Sequence, residues 1–206
     1  MKNQFLIWLS EVFYKKSLTW KVKTTEKEVF ITFDDGPTES YTEKILEILD
    51  CYNVRATFFC LAKNVEKFPE LFERIKHSGH SIGNHGYEHL NGWKISREKF
   101  LENVFKADKI ISSKIFRPPY GGITPCQAKG ISKHFKVIMW RTMSRDYSRR
   151  MTAEKCLKRL KRNITPGDII VFHDSESASE TTIKVLPEFL KYINEKGYKT
   201  SVINEV

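Results

Sequence analysis

Short apolar segments alternate with amphipathic ones along most of this chain, and that alternation restricts the folds open to it. Val29–Phe33 is rich in β-branched and aromatic residues and predicts a strand. Ser40–Cys51 predicts a helix, with Ile45, Leu46, Ile48 and Leu49 as its apolar face and capping-box spacing between Ser40 and Glu43. Further strands are predicted at Ala56–Cys60, His80–Gly83, Ile115–Arg117, Lys136–Trp140, Asp168–Phe172 and Tyr198–Val202. Further helices are predicted at Pro69–His77, stopped by Gly79, and at Ser96–Ser112, capped by Ser96. Two more follow at Thr152–Arg162 and around Pro187, which either starts or kinks the last one. Apolar strands separated by helices pack as a parallel sheet with helices on its faces. The expected class is α/β, with about seven parallel strands that either close into a barrel or stay open.

With 206 residues, 40% of them apolar and 13% aromatic, the chain can bury a core and suits one domain. The expected division is an N-terminal appendage over residues 1–27, packed on a domain spanning 28–206. Phe5, Trp8, Leu9, Val12 and Phe13 share one helical face, whose expected role is docking on that body. The apolar run Phe5–Leu9 is too short for a signal peptide core or a membrane span. The sequence thus reads as cytoplasmic, or associated with the inner membrane face. Cys51, Cys60, Cys126 and Cys156 form no C-x-x-C pair, and Cys51, Cys60 and Cys156 are expected as small core residues. A formal charge of +10 favours anionic partners. Its densest stretch, Lys155–Arg162, has Leu157 and Leu160 at helical spacing and no interleaved aromatic residues. It predicts a helix with a basic outer face, suited to peripheral contact with an anionic membrane surface rather than to nucleic acid.

Five segments carry side chains fit for chemistry. In Thr32-Phe33-Asp34-Asp35-Gly36-Pro37, two adjacent carboxylates end a strand, a costly pairing unless a cation or a donor network compensates it. His85 and His89 are spaced to face the same way on one helical turn. With one carboxylate they would make an open three-ligand metal site. Arg117-Pro118-Pro119-Tyr120-Gly121 pairs a planar guanidinium with a stiff backbone suited to holding an amide group in place. Asp146 lies near the end of Trp140–Tyr147, and His173 follows the apolar run Ile169–Phe172. Asp34, Asp35, His85, Arg117, Asp146 and His173 all follow the carboxyl ends of predicted strands, the edge where parallel α/β folds build their sites.

Taken in order, the five segments resemble the motifs of the polysaccharide deacetylase, or NodB-homology, family of carbohydrate esterases. T-F-D-D-G-P and R-x-P-Y match in full. H-[ST]-x-x-H keeps His85 and His89 but has Gly86 for the hydroxyl residue, so weaker metal binding is expected. D-x-x-D-W keeps Asp146 but has Met143 and Tyr147, and L-x-H keeps His173 with Val171 before it. Tyr147 and Val171 are expected to alter the pocket for the acetyl methyl.

The resemblance implies a single-domain, distorted (β/α) barrel of about seven strands. It also implies a metal on Asp35, His85 and His89, Asp34 as general base oriented by Arg117, and His173 as general acid paired with Asp146. The Tyr120 backbone N–H would help hold the oxyanion. Two imidazoles and a carboxylate favour zinc, with cobalt, nickel, iron or manganese as substitutes. The implied substrate is an acetylated glycan or amino sugar that loses its N-acetyl group. An O-acetyl ester, another amide, or a catalytically weakened metal- or glycan-binding role are the competing expectations.

Overall fold

The computed structural model describes residue 14 and residues 17–204. The predicted face of Phe5, Trp8, Leu9, Val12 and Phe13 lies outside the described residues. The described residues form nine strands: β1 (Leu18–Thr19), β2 (Glu28–Asp34), β3 (Thr57–Cys60), β4 (Ser81–Asn84), β5 (Ile115–Phe116), β6 (Lys136–Ile138), β7 (Thr142–Met143), β8 (Ile169–His173) and β9 (Lys199–Thr200). Their helices are α1 (Glu39–Cys51), α2 (Ala62–Lys67), α3 (Pro69–His77), α4 (Arg97–Ile111), α5 (Pro125–Ile131), α6 (Ala153–Leu160) and α7 (Ser179–Glu195).

The sheet runs β1-β6-β5-β4-β3-β2-β8-β7, with β9 beside the start of β2, and every strand ladder is parallel. The edge strands β1 and β7 do not pair with each other, so the barrel is incomplete. It is nevertheless strongly curled, because Lys21, just after β1, bridges Asp168 at the start of β8. Arg117 shows the same curl. In a flat sheet its strand would stand three strand spacings, roughly 14 Å, from β2. Instead its guanidinium bonds Thr32 and Asp34 on β2 across the interior.

Alternation along β2 separates two of the three apolar clusters of the core. Val29, Ile31 and Phe33 of β2 face outward into the main helix-covered cluster, with Phe58, Ile170 and Phe172 beside them. Phe30 faces inward with Phe59, Ile115, Ile138 and Ile169. A period of two then places Thr32 and Asp34 on the same inner face as Phe30. The strand that buries Phe30 must therefore lift Asp34 to the barrel mouth.

Several local expectations need correction. Ser40 does not cap α1: Thr38 is its N-cap, makes no side-chain cap, and turns its hydroxyl to the Asp174 carbonyl. Pro187 lies inside α7 rather than at its start. Cys51 is exposed at the end of α1, whereas Cys60 and Cys156 are buried. Leu18–Thr19, from the segment expected to be an appendage, is an edge strand of the sheet.

Candidate active site

Asp34 and His173 are the last residues of β2 and β8 and are register partners across that ladder. Adjacent strands lie about 4.8 Å apart, so the two side chains rise next to each other from one inner face. Asp34 is nearly buried, and Arg117 Nη1 donates to its Oδ1 at 2.6 Å. Arg117 is wholly buried and spends its other donors on Thr32 Oγ1, the Ile138 carbonyl and the Met139 carbonyl. Phe59 stacks 4.0 Å from its Cζ. Burial disfavours the guanidinium charge and lowers its pKa, while Asp34 works in the opposite direction.

His173 is held from behind. Asp146 Oδ1 lies 2.7 Å from its Nδ1, and Asp146 Oδ2 accepts its backbone N–H at 2.9 Å. Asp146 also accepts from the Thr182 hydroxyl and the Tyr147 N–H, which fixes the carboxylate. Burial lowers the His173 pKa, but the Asp146 hydrogen bond and the charges of Asp146, Asp34 and Asp35 outweigh it and push it up to about 9. If His173 acts as the acid, it must carry the proton that it gives up, and activity would be lost as pH rises through its pKa. The alkaline limb of kcat/KM is expected above histidine's ordinary value of about 6.5. Asp146→Asn is expected to move that limb down, and a limb that stays in place would show that Asp146 does not set it.

Asp35 leaves β2 in the left-handed region, with φ 84°, a conformation costly for a residue with a side chain. Asn64 of α2 stabilises it by donating to the Asp35 carbonyl at 2.8 Å. Gly36 then packs against Asp174 so closely that a Cβ would stand 1.8 Å from Asp174 Oδ2. The Gly36 N–H donates to the other Asp174 oxygen at 2.8 Å. Burial pushes the Asp174 carboxyl up to about 7, against the hydrogen bond from Thr42.

The two histidines sit on a loop after β4, not on the helical turn their spacing predicted, because Gly86 turns the chain with φ 87°. Their rings still meet, with centroids 5.2 Å apart. Asp35 Oδ1 lies 3.5 Å from His85 Nε2 and 3.1 Å from His89 Nε2. One ligand atom from each of the three residues falls within 4.8 Å of the others. His85 Nδ1 is 2.8 Å from the Arg117 carbonyl. A carbonyl only accepts, so Nδ1 carries the hydrogen and the neutral ring aims a lone pair at Asp35. Asp35 Oδ1 is itself buried with no hydrogen-bond partner when the rings are neutral. Lone pairs converging on a buried carboxylate need a cation or protons between them. Protons on the rings supply one solution: burial raises the Asp35 pKa, yet hydrogen bonds from His85 and His89 hold it well below the usual carboxylate range. A divalent metal supplies the other, and one carboxylate with two imidazoles is a fitting donor set that leaves positions open.

A cleft of about 1030 Å3 opens above this triad, lined by Asp34, Asp35, His85, His89, Tyr120, Tyr147 and His173. The Tyr120 ring lies 4.3 Å from that of His89, and Tyr147 meets His173 edge-on at 4.9 Å. Arg117 and Asp146 sit behind the lining as buried supports. Val171 does not reach the cleft: it is fully buried, two residues back along β8 on the face that carries His173. Tyr147, the other residue expected there, does line the cleft, together with Met143 and Trp140. Sequence reasoning passed over Thr32, Asn64, Asp174 and Thr182. Of these, Thr32 opened a segment already marked for chemistry and Asp174 stood directly beside His173, whereas Asn64 and Thr182 lay outside the marked segments.

Comparison with known proteins agrees with this geometry. A family model described as polysaccharide deacetylase matches residues 21–134. Two peptidoglycan-N-acetylglucosamine deacetylases of Bacillus cereus are similar. One is 34% identical over 82% of this chain and 64% of its own length, the other 30% identical over 92% of each. This chain therefore spans just under two thirds of the first relative and nearly all of the second. The solved structure of a peptidoglycan N-acetylglucosamine deacetylase superimposes with a TM-score of 0.88 at 31% identity, covering 94% of both chains. A pseudoenzyme from Bacillus anthracis also shares the fold, with a TM-score of 0.81 at 26% identity over 90% of this chain and 67% of its own. On these matches and on the Asp-His-His site beneath its cleft, the chain belongs to the polysaccharide deacetylase (NodB-homology) family of metal-dependent hydrolases.

Proposed function

We propose that this chain removes the N-acetyl group from N-acetylglucosamine units of a peptidoglycan-type glycan, using a divalent metal, with zinc as the first choice. The observation that carries the reading is the pairing at the barrel mouth. A carboxylate backed by Arg117 and an imidazole backed by Asp146 open side by side onto the Asp35–His85–His89 triad. A fold shared with a pseudoenzyme does not by itself carry an activity, whereas an intact acid–base pair does.

Asp35, His85 and His89 would hold the metal, which would supply polarisation of the acetyl carbonyl and a more acidic water. Asp34, oriented by Arg117, takes the proton from the attacking water. The Tyr120 backbone N–H supports the oxygen of the tetrahedral intermediate. His173 then protonates the departing amine, giving acetate and a free amino sugar. The cleft continues past the triad to Tyr41, Lys63 and Phe68, which suits an extended glycan rather than a single sugar. The exposed Lys155, Lys158, Arg159 and Arg162 on and just beyond α6 support contact with an anionic membrane surface.

A substrate panel tests the reading. Acetate release should favour peptidoglycan and N-acetylglucosamine oligomers over O-acetylated xylan. Faster release from the ester would replace the amidase assignment with an esterase one.

A further inference from the structure

The loop bearing His85 and His89 lacks the hydroxyl that the family motif places after its first histidine, because Gly86 stands there. A different residue braces the loop. Asn103, half-buried on α4, receives the Glu88 N–H on its side-chain oxygen at 2.9 Å and donates its amide to the Glu88 carbonyl at 2.9 Å. Its own backbone carbonyl accepts the Tyr87 N–H at 3.2 Å. Backbone groups have fixed donor and acceptor roles, so these partners also settle which way the amide points.

We propose that Asn103 is the positioning residue of the metal loop and replaces the missing hydroxyl at position 86. The inference rests on the reading of Asp35, His85 and His89 as a metal site. Other contacts fix the loop's start: the Gly86 N–H donates to Asn84 Oδ1 at 2.7 Å, and the Gly86 carbonyl accepts from Ala62 N at 3.0 Å. Beyond Gly86, Asn103 pairs with both backbone groups of Glu88, the residue directly before His89. It therefore sets where the second imidazole stands relative to the first.

Space at position 86 shows why the two devices exclude each other. A Cβ there would lie 2.6 Å from Asn103 Nδ2, and 3.2 Å from the Glu88 carbonyl oxygen. A serine at 86 would thus collide with Asn103 in this protein. Without the Asn103 side chain that collision is gone and the serine hydroxyl would stand beside the same Glu88 carbonyl, though φ 87° stays costly for any residue with a side chain.

Zinc affinity, measured by competition with a chromogenic chelator, tests this on four proteins: wild type, Asn103→Ala, Gly86→Ser and the double variant. The melting temperature of each metal-free protein is recorded alongside. Asn103→Ala is expected to weaken zinc binding by about 10–100-fold, the usual effect of removing a hydrogen bond behind a metal ligand, with little change in the metal-free melt. Gly86→Ser is expected to weaken binding in the wild-type background, and to weaken it by less when Asn103 is Ala, because the collision is then gone while the strain of a side chain at φ 87° remains. Wild type that takes up no zinc would remove the metal reading and the inference with it. Zinc binding by Asn103→Ala equal to wild type would overturn the inference alone. Independent losses from the two substitutions, or a loss of affinity matched by a collapse of the metal-free melt, would overturn the exchange of brace for hydroxyl.

Discussion

Asp34→Asn is expected to lower turnover on the order of 10³-fold, the scale of a lost general base, while zinc remains bound. The amide keeps the shape of the carboxylate, and its oxygen can still accept from Arg117, which stands 2.6 Å away. It cannot accept the proton of an attacking water. Asp34 is not a member of the Asp35–His85–His89 triad, so the metal ligands are untouched. The buried Arg117 keeps its charge with a weaker partner, so some stability is lost as well. Turnover is therefore to be measured well below the melting temperature, with zinc content determined on the same sample. An enzyme that keeps near-parental kcat would show that the base is another group.

Arg117→Met is expected to have the largest effect on stability of any single change at the site. The side chain is wholly buried and donates to Asp34, Thr32, Ile138 and Met139. Methionine fills much of the volume but leaves Asp34 charged with no donor, together with unpaired carbonyls. Breaking a buried ion pair from one side costs about 3–5 kcal/mol. For a chain of this length that lowers the melting temperature by roughly 6–20 °C. Activity falls too, because Asp34 is no longer aimed. A melt shifted by only a degree or two would mean that water replaces the guanidinium, and that the barrel mouth is more open than its burial indicates.

The helices most readable from sequence were those with a cap or breaker at the boundary. Pro69–His77 is observed with the bounds expected from Pro69 and Gly79, and the Ser96 hydroxyl caps α4 as its position suggested. The two-residue strands β1 and β7 escaped, because they are too short to show a period, whereas the equally short β5 and β9 lay inside predicted strands. α5 was legible and passed over: Thr124 and Gln127 make a full capping box with Pro125 at the first turn. At the site, the placement of Asp34, Asp35, His85, Arg117, Asp146 and His173 at or after the strand ends followed from where each apolar run stops. The supports did not. Thr182 reaches Asp146 across 36 residues and Asn64 reaches the Asp35 carbonyl across 29, contacts between segments that follow neighbouring strands and that depend on knowing which strands pair. Gly86 shows the limit most clearly. Its departure from the motif signals a lost hydroxyl, while the side chain that takes over the brace sits 17 positions later, on helix α4.

The most direct test of the central claim is acetate release from N-acetylglucosamine oligomers by enzyme stripped with a chelator and then reloaded with zinc, with Asp34→Asn run beside it. The account predicts no acetate from stripped enzyme, recovery on reloading, and none above background from the loaded variant. Acetate released at an undiminished rate by stripped enzyme, or by the loaded variant, would contradict it.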